Sequence, residues 1–312
     1  MRVIRKMRPT FPFPLRMLIC SVMIIGIGLL MIACFLYSQQ RMLASAELRF
    51  RDLANSHMDR LSHNLDGYGS LLYATQGLFA ATDVTADIWQ RFIEKQHIFE
   101  RYPGMEAVGY SEVKGEKIIL TYLLEADGGH EHASAVGFNL ASEPVRAQAL
   151  ERARNTKGIT ATTPTRLVGN NRPGFLLLLP VYSRQAAENS PSGYSSAAFD
   201  ISAMINKTIG KDLAMHHTTL TIQDITDTDR SLLYGSPGTH KGKVLRQETT
   251  LKVGDRSWQI VFETPLTAVA STFERTRPLI VLAIGIIITL SASAWFYALT
   301  LRKRLKLTLS GE

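Results

Sequence analysis

Met17–Tyr37 reads MLICSVMIIGIGLLMIACFLY, 21 residues without a charge, and Leu279–Leu301 reads LIVLAIGIIITLSASAWFYALTL, 23 residues, also uncharged. At about 1.5 Å of rise per residue, each makes a helix roughly 30 Å long, the thickness of a bilayer's hydrocarbon core. Phe35 and Tyr37 close one run, and Trp295 and Tyr297 lie near the end of the other, positions that suit aromatic side chains at a membrane interface. Pro278 precedes the second run, where a first helical turn tolerates its missing N–H. The first run exceeds the apolar stretch of a cleaved signal, and no A-x-A site follows it. Two membrane helices bracketing residues 38–277 are therefore expected.

The charge supports that topology. The chain of 312 residues carries a formal +8. Arg2, Arg5, Lys6, Arg8 and Arg16 contribute +5 with no acid among them, and Arg302, Lys303, Arg304 and Lys306 against Glu312 contribute +3. The central segment is neutral, so its composition gives no footprint for nucleic acid. Lys and Arg confined to short flanks of apolar runs follow the positive-inside pattern. Both termini are expected in the cytoplasm and the central domain outside, periplasmic or extracellular, with the chain in the cell's inner (plasma) membrane. Both cysteines, Cys20 and Cys34, lie in the first run. The outer domain has no disulfide, and its stability must come from its core.

From Gln39 to about Ala81 apolar residues recur at spacings of three and four without a proline, which predicts one long amphipathic helix, a stalk over 38–82. The stripe is long enough to pair with a second copy as well as to pack on its own domain, so a homodimer is expected. Val84–Phe99 reads as a short helix broken by Tyr102-Pro103-Gly104. Met105–Val113 and Lys117–Leu124 read as a hairpin around Lys114-Gly115-Glu116. Glu143–Asn155 reads as a helix with Pro144 in its first turn, and Thr160–Thr165 as a short strand. Phe175–Tyr182, FLLLLPVY, is the most apolar run outside the membrane, and its eight residues make a buried central strand rather than a third span. Ala197–Ile201 and Thr218–Asp224 read as strands flanking a helix over Ser202–Leu213. A loop rich in Asp, Thr and Gly then leads to paired strands at Lys243–Leu251 and Trp258–Thr264. The element order predicts an α+β fold: a stalk helix and two PAS-like α/β units, 83–186 membrane-distal and 187–277 membrane-proximal.

Three blocks carry a family resemblance: LDGYGSLLYATQGLFAATDVTADIWQRFIEKQHIFERYPGMEAVGYSEV (65–113), SEPVRAQALERARNTKGITATTPTRLVGNNRPGFLLLLPVY (142–182) and GDRSWQIVFET (254–264). Together they resemble the CHASE domain, the extracellular sensory module of bacterial and plant receptors. The resemblance implies a ligand pocket in the distal unit, with Tyr110, Arg146, Thr162, Leu167, Leu178 and Pro180 as its candidate residues. Where plant cytokinin receptors of this family hold an adenine-type ligand with a carboxylate and a threonine, this sequence aligns Arg146 and Leu178. Arginine reverses the charge offered to the ligand and implies an anionic one, because a guanidinium pairs bidentately with a carboxylate. The plain alternative is a solvated arginine on an exposed helix face.

No catalytic constellation is present: there is no Walker loop, no G-x-S-x-G and no cysteine nucleophile outside the membrane run. His130, Glu131 and His132 share a loop but fall short of a metal-ligand set, and His216-His217 are adjacent on the chain. Asp224, Asp227 and Asp229 lack the glycine and terminal glutamate of a calcium loop and read as a solvated turn. No cofactor and no metal are expected. Family members usually continue into a histidine kinase or a diguanylate cyclase, whereas eleven residues follow the second run here. The expectation is a sensor of a small molecule that acts through its second membrane helix on a two-component or cyclic-di-GMP pathway. The alternative is a membrane interaction protein that modulates a full-length receptor.

Overall fold

The computed structural model describes residues 13–126, 135–168, 172–182, 190–235 and 242–309. The basic residues before Phe13 and the His130–His132 loop lie outside the described residues. Contacts divide the chain into two compact units, one built from the segments up to Arg49 and from Val269 onward, the other from Phe50–Ala268.

The first unit is helical. Helix α1 runs without a break over Phe13–Ala81, so the first apolar run and the stalk form one element. Helix α8 spans Thr272–Leu309. Both are long and apolar enough to cross a membrane. Gly285 of α8 allows close approach, since a Cβ there would overlap the Met31 side chain of α1. The start of α8 corrects the placement of Pro278, which lies inside the helix rather than at its first turn. What starts the helix is a capping box. Ser271 Oγ accepts from Glu274 N at 3.2 Å, and Glu274 Oε2 accepts from Ser271 N at 2.9 Å. Arg49 of α1 donates to both oxygens of the same carboxylate, at 2.9 and 3.0 Å.

The second unit carries two antiparallel sheets. Helices α2 (Ala86–Lys95) and α3 (Ile98–Arg101) lead into β1 (Met105–Lys114) and β2 (Lys117–Glu125). Gly115, at φ 63°, turns that hairpin. Helix α4 (Pro144–Thr156), β3 (Thr160–Ala161), β4 (Thr165–Arg166), β5 (Pro173–Val181) and β6 (Gly193–Asp200) complete the first sheet. Its order is β2-β1-β6-β5-β3, with β4 beside β5. Strand β6 lies beyond the unit boundary expected at residue 186, yet it forms the centre of the first sheet. Its Gly-Tyr-Ser-Ser-Ala-Ala core carries little apolar signal, because small residues serve a strand whose two faces are closely covered.

A helical segment over Ile201–Met215 follows: α5 (Ile201–Ile205), a π-helical turn at Asn206–Gly210 and α6 (Lys211–Met215). Asp200 caps it, accepting from Ala203 N at 2.9 Å. Strands β7 (Thr219–Asp224), β8 (Ser231–Tyr234), β9 (Val244–Val253) and β10 (Arg256–Pro265) form the second sheet in the order β8-β7-β10-β9. The short helix α7 (Leu266–Val269) connects β10 to α8. Strand β8 occupies part of the region expected to be a loop; only four residues long, it lies at the sheet edge, where alternation is hardest to read. The aspartates expected in a solvated turn are instead engaged. Asp224 is buried and paired with Arg256, whose Nη2 also donates to Asp227 at 2.6 Å.

One face of each sheet meets α1 or the other sheet. Tyr68 of α1 packs on Phe199 with ring centroids 4.4 Å apart and donates its hydroxyl to Pro103 O. Phe175 of β5 stacks on Phe199 at 5.1 Å and meets Trp258 of β10 edge-on at 4.9 Å. The long helix is thus a wall of the folded unit as well as a stalk.

Candidate functional site

The other face of the first sheet is covered by α4. Leu176 and Leu178 of β5 and Tyr194 of β6 pack with Leu120, Leu140, Ala149, Leu150, Ala153 and Leu167 in one buried cluster. Alternation explains the split along β5: Phe175 and Leu177 turn toward Trp258 and α1, and Leu176 and Leu178 toward α4. Over the centre of this face the side chains are small. Register aligns Ser111 with Leu120 on one side and Tyr194 on the other, and aligns Gly109 with Ser196 and then Leu178. Ser196 Oγ donates to Gly109 O at 3.3 Å. The Ser111 hydroxyl is fully buried and has no hydrogen-bond partner among the described residues.

Arg146 sits at the rim of that cluster. Glu143 caps α4 by accepting from Val145 N and Arg146 N, which sets Arg146 in the first turn with its side chain turned inward. It is only 3% exposed, so the exposed-face alternative does not hold. Its Nη2 donates to Arg166 O at 2.8 Å, its guanidinium lies 5.4 Å from the Phe138 ring centroid, and the Glu143 carboxylate is 3.7 Å from Nε. Nε itself has no hydrogen-bond partner among the described residues. Burial draws its pKa down, against the pull of Glu143 in the opposite direction. A buried guanidinium with one distant carboxylate and a spare N–H favours a second anion beside it.

The remaining candidates divide between the two faces. Thr162 is buried at the edge of the sheet, its Oγ1 accepting from Leu176 N at 3.0 Å. Leu167 and Leu178 join the α4 cluster. Pro180 is buried on β5, and its carbonyl accepts from Gln76 Nε2 of α1 at 2.7 Å. Tyr110 is on the other side: it stacks on Phe79 of α1 with ring centroids 3.6 Å apart, near Tyr122. Arg146, Leu167 and Leu178 are thus brought to one face, and Tyr110 is not. Sequence reasoning missed Ser111 and Tyr194. Ser111 is the neighbour of Tyr110 on β1, and strict alternation from a buried Tyr110 would have placed it on the opposite face. Burial pushes the Tyr194 phenol up to about 12, with Arg154 acting the other way. The Tyr182 hydroxyl, next to the end of β5, is likewise buried without a partner among the described residues.

The first sheet is tied to the second one from the back of α4. Arg152 Nε donates to Asp255 Oδ2 at 2.6 Å and its Nη2 to Ala161 O at 2.7 Å, and Ala161 N donates to Asp255 Oδ1 at 2.9 Å. Asp255 sits in the β9–β10 turn beside Gly254, whose φ is 60° and where a Cβ would lie 3.0 Å from Ala161 N. Helix α4 thus carries Arg146 near its start and, six residues later, the guanidinium that grips the other sheet.

Residues 114–234 match the model of the CHASE domain. Probable histidine kinase 6 of Oryza sativa subsp. japonica is 28% identical over 113 residues, an alignment that spans 33% of this chain and 12% of that protein. Among solved structures, the ligand-binding domain of the Pseudomonas fluorescens chemoreceptor CtaA in complex with L-serine superposes with a TM-score of 0.51 at 12% identity, covering 71% of this chain and 97% of that one. The same domain in complex with L-isoleucine gives 0.51 at 11% identity, covering 72% and 94%. The expected CHASE resemblance holds over the matched segment, and the fold of a stalk helix with two PAS-like units is that of chemoreceptor ligand-binding domains.

Proposed function

We propose that this chain is a membrane-anchored extracytoplasmic sensor of a small carboxylate, held on the α4 face of the distal sheet. The observation that carries the reading is Arg146: a nearly fully buried guanidinium whose Nε–H has no hydrogen-bond partner among the described residues, with the Glu143 carboxylate 3.7 Å away, at the edge of a face floored by Gly109, Ser111 and Ser196. A carboxylate there accepts from Nε and offsets the desolvation of the guanidinium. The chemoreceptor domains of similar fold were solved with amino acids bound, L-serine and L-isoleucine, which fits a ligand of this class.

Binding acts by population shift. A carboxylate that prefers one position of the start of α4 favours the matching position of Arg152, and through Asp255 that of the β9–β10 hairpin. Strand β10 continues through α7 into α8, which carries the signal across the membrane. In this reading both termini are cytoplasmic, the chain works as a homodimer paired along α1, and the region is non-catalytic, serving a separate output such as a kinase or a cyclase.

The test is a thermal-shift screen of the full chain in lipid nanodiscs against the twenty amino acids, γ-aminobutyrate and the common dicarboxylates. A ligand at one hundred times its Kd adds about 2.7 kcal/mol to the stability of the bound state. At roughly 2–4 °C per kcal/mol for a domain of this size, the melting temperature rises by about 5–11 °C. A panel in which purines raise the melting temperature and carboxylates do not would overturn the carboxylate assignment. A panel without any response would count against the sensor itself.

A further inference from the structure

Away from the α4 face, His57 of α1 is buried against the second sheet. It is 1% exposed, its ring centroid lies 5.9 Å from that of Phe262 on β10, and neither ring nitrogen has a hydrogen-bond partner among the described residues. A neutral imidazole carries one N–H and one lone pair, and burying both unpaired costs stability. The groups that act on it come from three places: Arg60 on α1 itself, Asp212 on α6 and His216 immediately after α6. Arg60 and Asp212 are already joined, Nη1 to Oδ2, at 2.6 Å. Asn64 Nδ2 donates to Thr208 Oγ1 of the π-helical turn at 3.0 Å, one more polar link between α1 and this helical segment. His216 is itself held at its carbonyl by Thr264 Oγ1 of β10, 3.0 Å away.

We propose that His57 is a proton-operated latch between the long helix and the second sheet. While the ring is neutral, it packs against Phe262 and the Arg60–Asp212 and Asn64–Thr208 links hold α1 to the Ile201–Met215 helix. When the ring takes up a proton, a cation is placed in an apolar contact with no acceptor, and Arg60 and His216 oppose it. Asp212 attracts the new charge, but its carboxylate is committed to Arg60. The low-energy response is for this stretch of α1 to lift from the sheet, so that the imidazolium reaches water. Acidity would therefore loosen the contact between the long helix and the second sheet with no ligand on the distal one. This inference does not rest on the carboxylate reading.

The direction follows from linkage. Burial is the largest influence on His57 and holds its folded pKa below the ordinary histidine value, with Asp212 pulling the other way and Arg60 and His216 reinforcing the decrease. A depressed folded pKa gives stability that is complete above the unfolded value, about 6.5, and is lost as the pH falls toward the folded one.

The experiment measures the melting temperature of the full chain in nanodiscs at pH 7.5 and 5.5, for wild type, His57→Leu and His216→Gln. Wild type and His216→Gln should both melt several degrees lower at pH 5.5, and His57→Leu should lose no more than half of that difference. An equal loss in wild type and His57→Leu overturns the proposal, as does a wild type that melts at the same temperature at both values. If His57→Leu does not fold, the wild-type chain decides. The His57 ring carbon signal, assigned through its contact with Phe262, should titrate with a midpoint below 6.5 and in step with accelerated amide exchange in residues 54–64. A midpoint at or above that value, or exchange that does not follow it, overturns the latch.

Discussion

Replacing Asp255 by alanine tests the link between the two sheets. Its carboxylate receives two donors: Arg152 Nε at 2.6 Å and the Ala161 amide at 2.9 Å. Ala161 is fully buried, so removing its acceptor leaves a backbone N–H unsatisfied, which costs about 1–3 kcal/mol. The Arg152–Asp255 ion pair is partly exposed, with side-chain exposures of 35% and 22%, and solvent screening limits it to about 0.5–1 kcal/mol. Together the loss is about 1.5–4 kcal/mol, a fall in melting temperature of roughly 3–16 °C for a domain of this size. Asp255→Asn keeps a carbonyl for the Ala161 amide and loses mainly the ion pair, for a fall of about 1–4 °C. Scanning fluorimetry of the full chain in nanodiscs reads both. The Arg152→Ala, Asp255→Ala double-mutant cycle then isolates the pair, with an expected coupling near 1 kcal/mol. Asp255→Ala melting within a degree of wild type would refute the reasoning, because the buried amide would then have another acceptor and the sheets another link.

Other expectations concern the same region. Gly254→Ala forces a side chain into a left-handed backbone conformation and against Ala161 N, so it should cost at least the ~1–2 kcal/mol of the conformation alone, measured by chemical denaturation. Asp224→Asn breaks a buried ion pair with Arg256 and should cost about 3–5 kcal/mol in the same measurement. Asp224 also sets an acid limit. Burial pushes its carboxyl up, but the hydrogen bonds from Arg256 and Thr226 outweigh that and hold it below the ordinary carboxylate value. Its contribution is therefore present above the unfolded value, about 3.9, and lost as the pH falls through the folded one. Stability profiles between pH 5 and 2 should be flatter in Asp224→Asn than in wild type.

Much of the fold was legible because its signals are local. The apolar runs, the three-and-four spacing along α1 and the Gly115 and Gly254 turns each express one rule over a few residues. The parts that were not legible depend on partners distant in the chain. Strand β6 reads as a weak strand because Ser195, Ser196, Ala197 and Ala198 are small; it is central because Phe175, Tyr68 and the α4 cluster cover its two sides. Asp224 and Asp227 looked like a polar turn because their partner, Arg256, lies some thirty residues on. The start of α8 has a local signal, because Ser271-Thr272-Phe273-Glu274 is a capping box that begins the helix ahead of Pro278. At the site, the family resemblance led to Arg146, Leu167 and Leu178, which one face unites. It also led to Tyr110, which alternation turns to α1. Ser111 was hidden because a lone serine in a strand carries no signal until its face is known.

The measurement that bears most directly on the central claim is calorimetric titration of the nanodisc-bound full chain with the carboxylates that raise its melting temperature, repeated on Arg146→Gln. Loss of the guanidinium should weaken binding at least tenfold, about 1.4 kcal/mol, while the variant stays folded, because glutamine is smaller and removes a buried charge. Equal affinity in wild type and Arg146→Gln would contradict the account and move the ligand away from the α4 face.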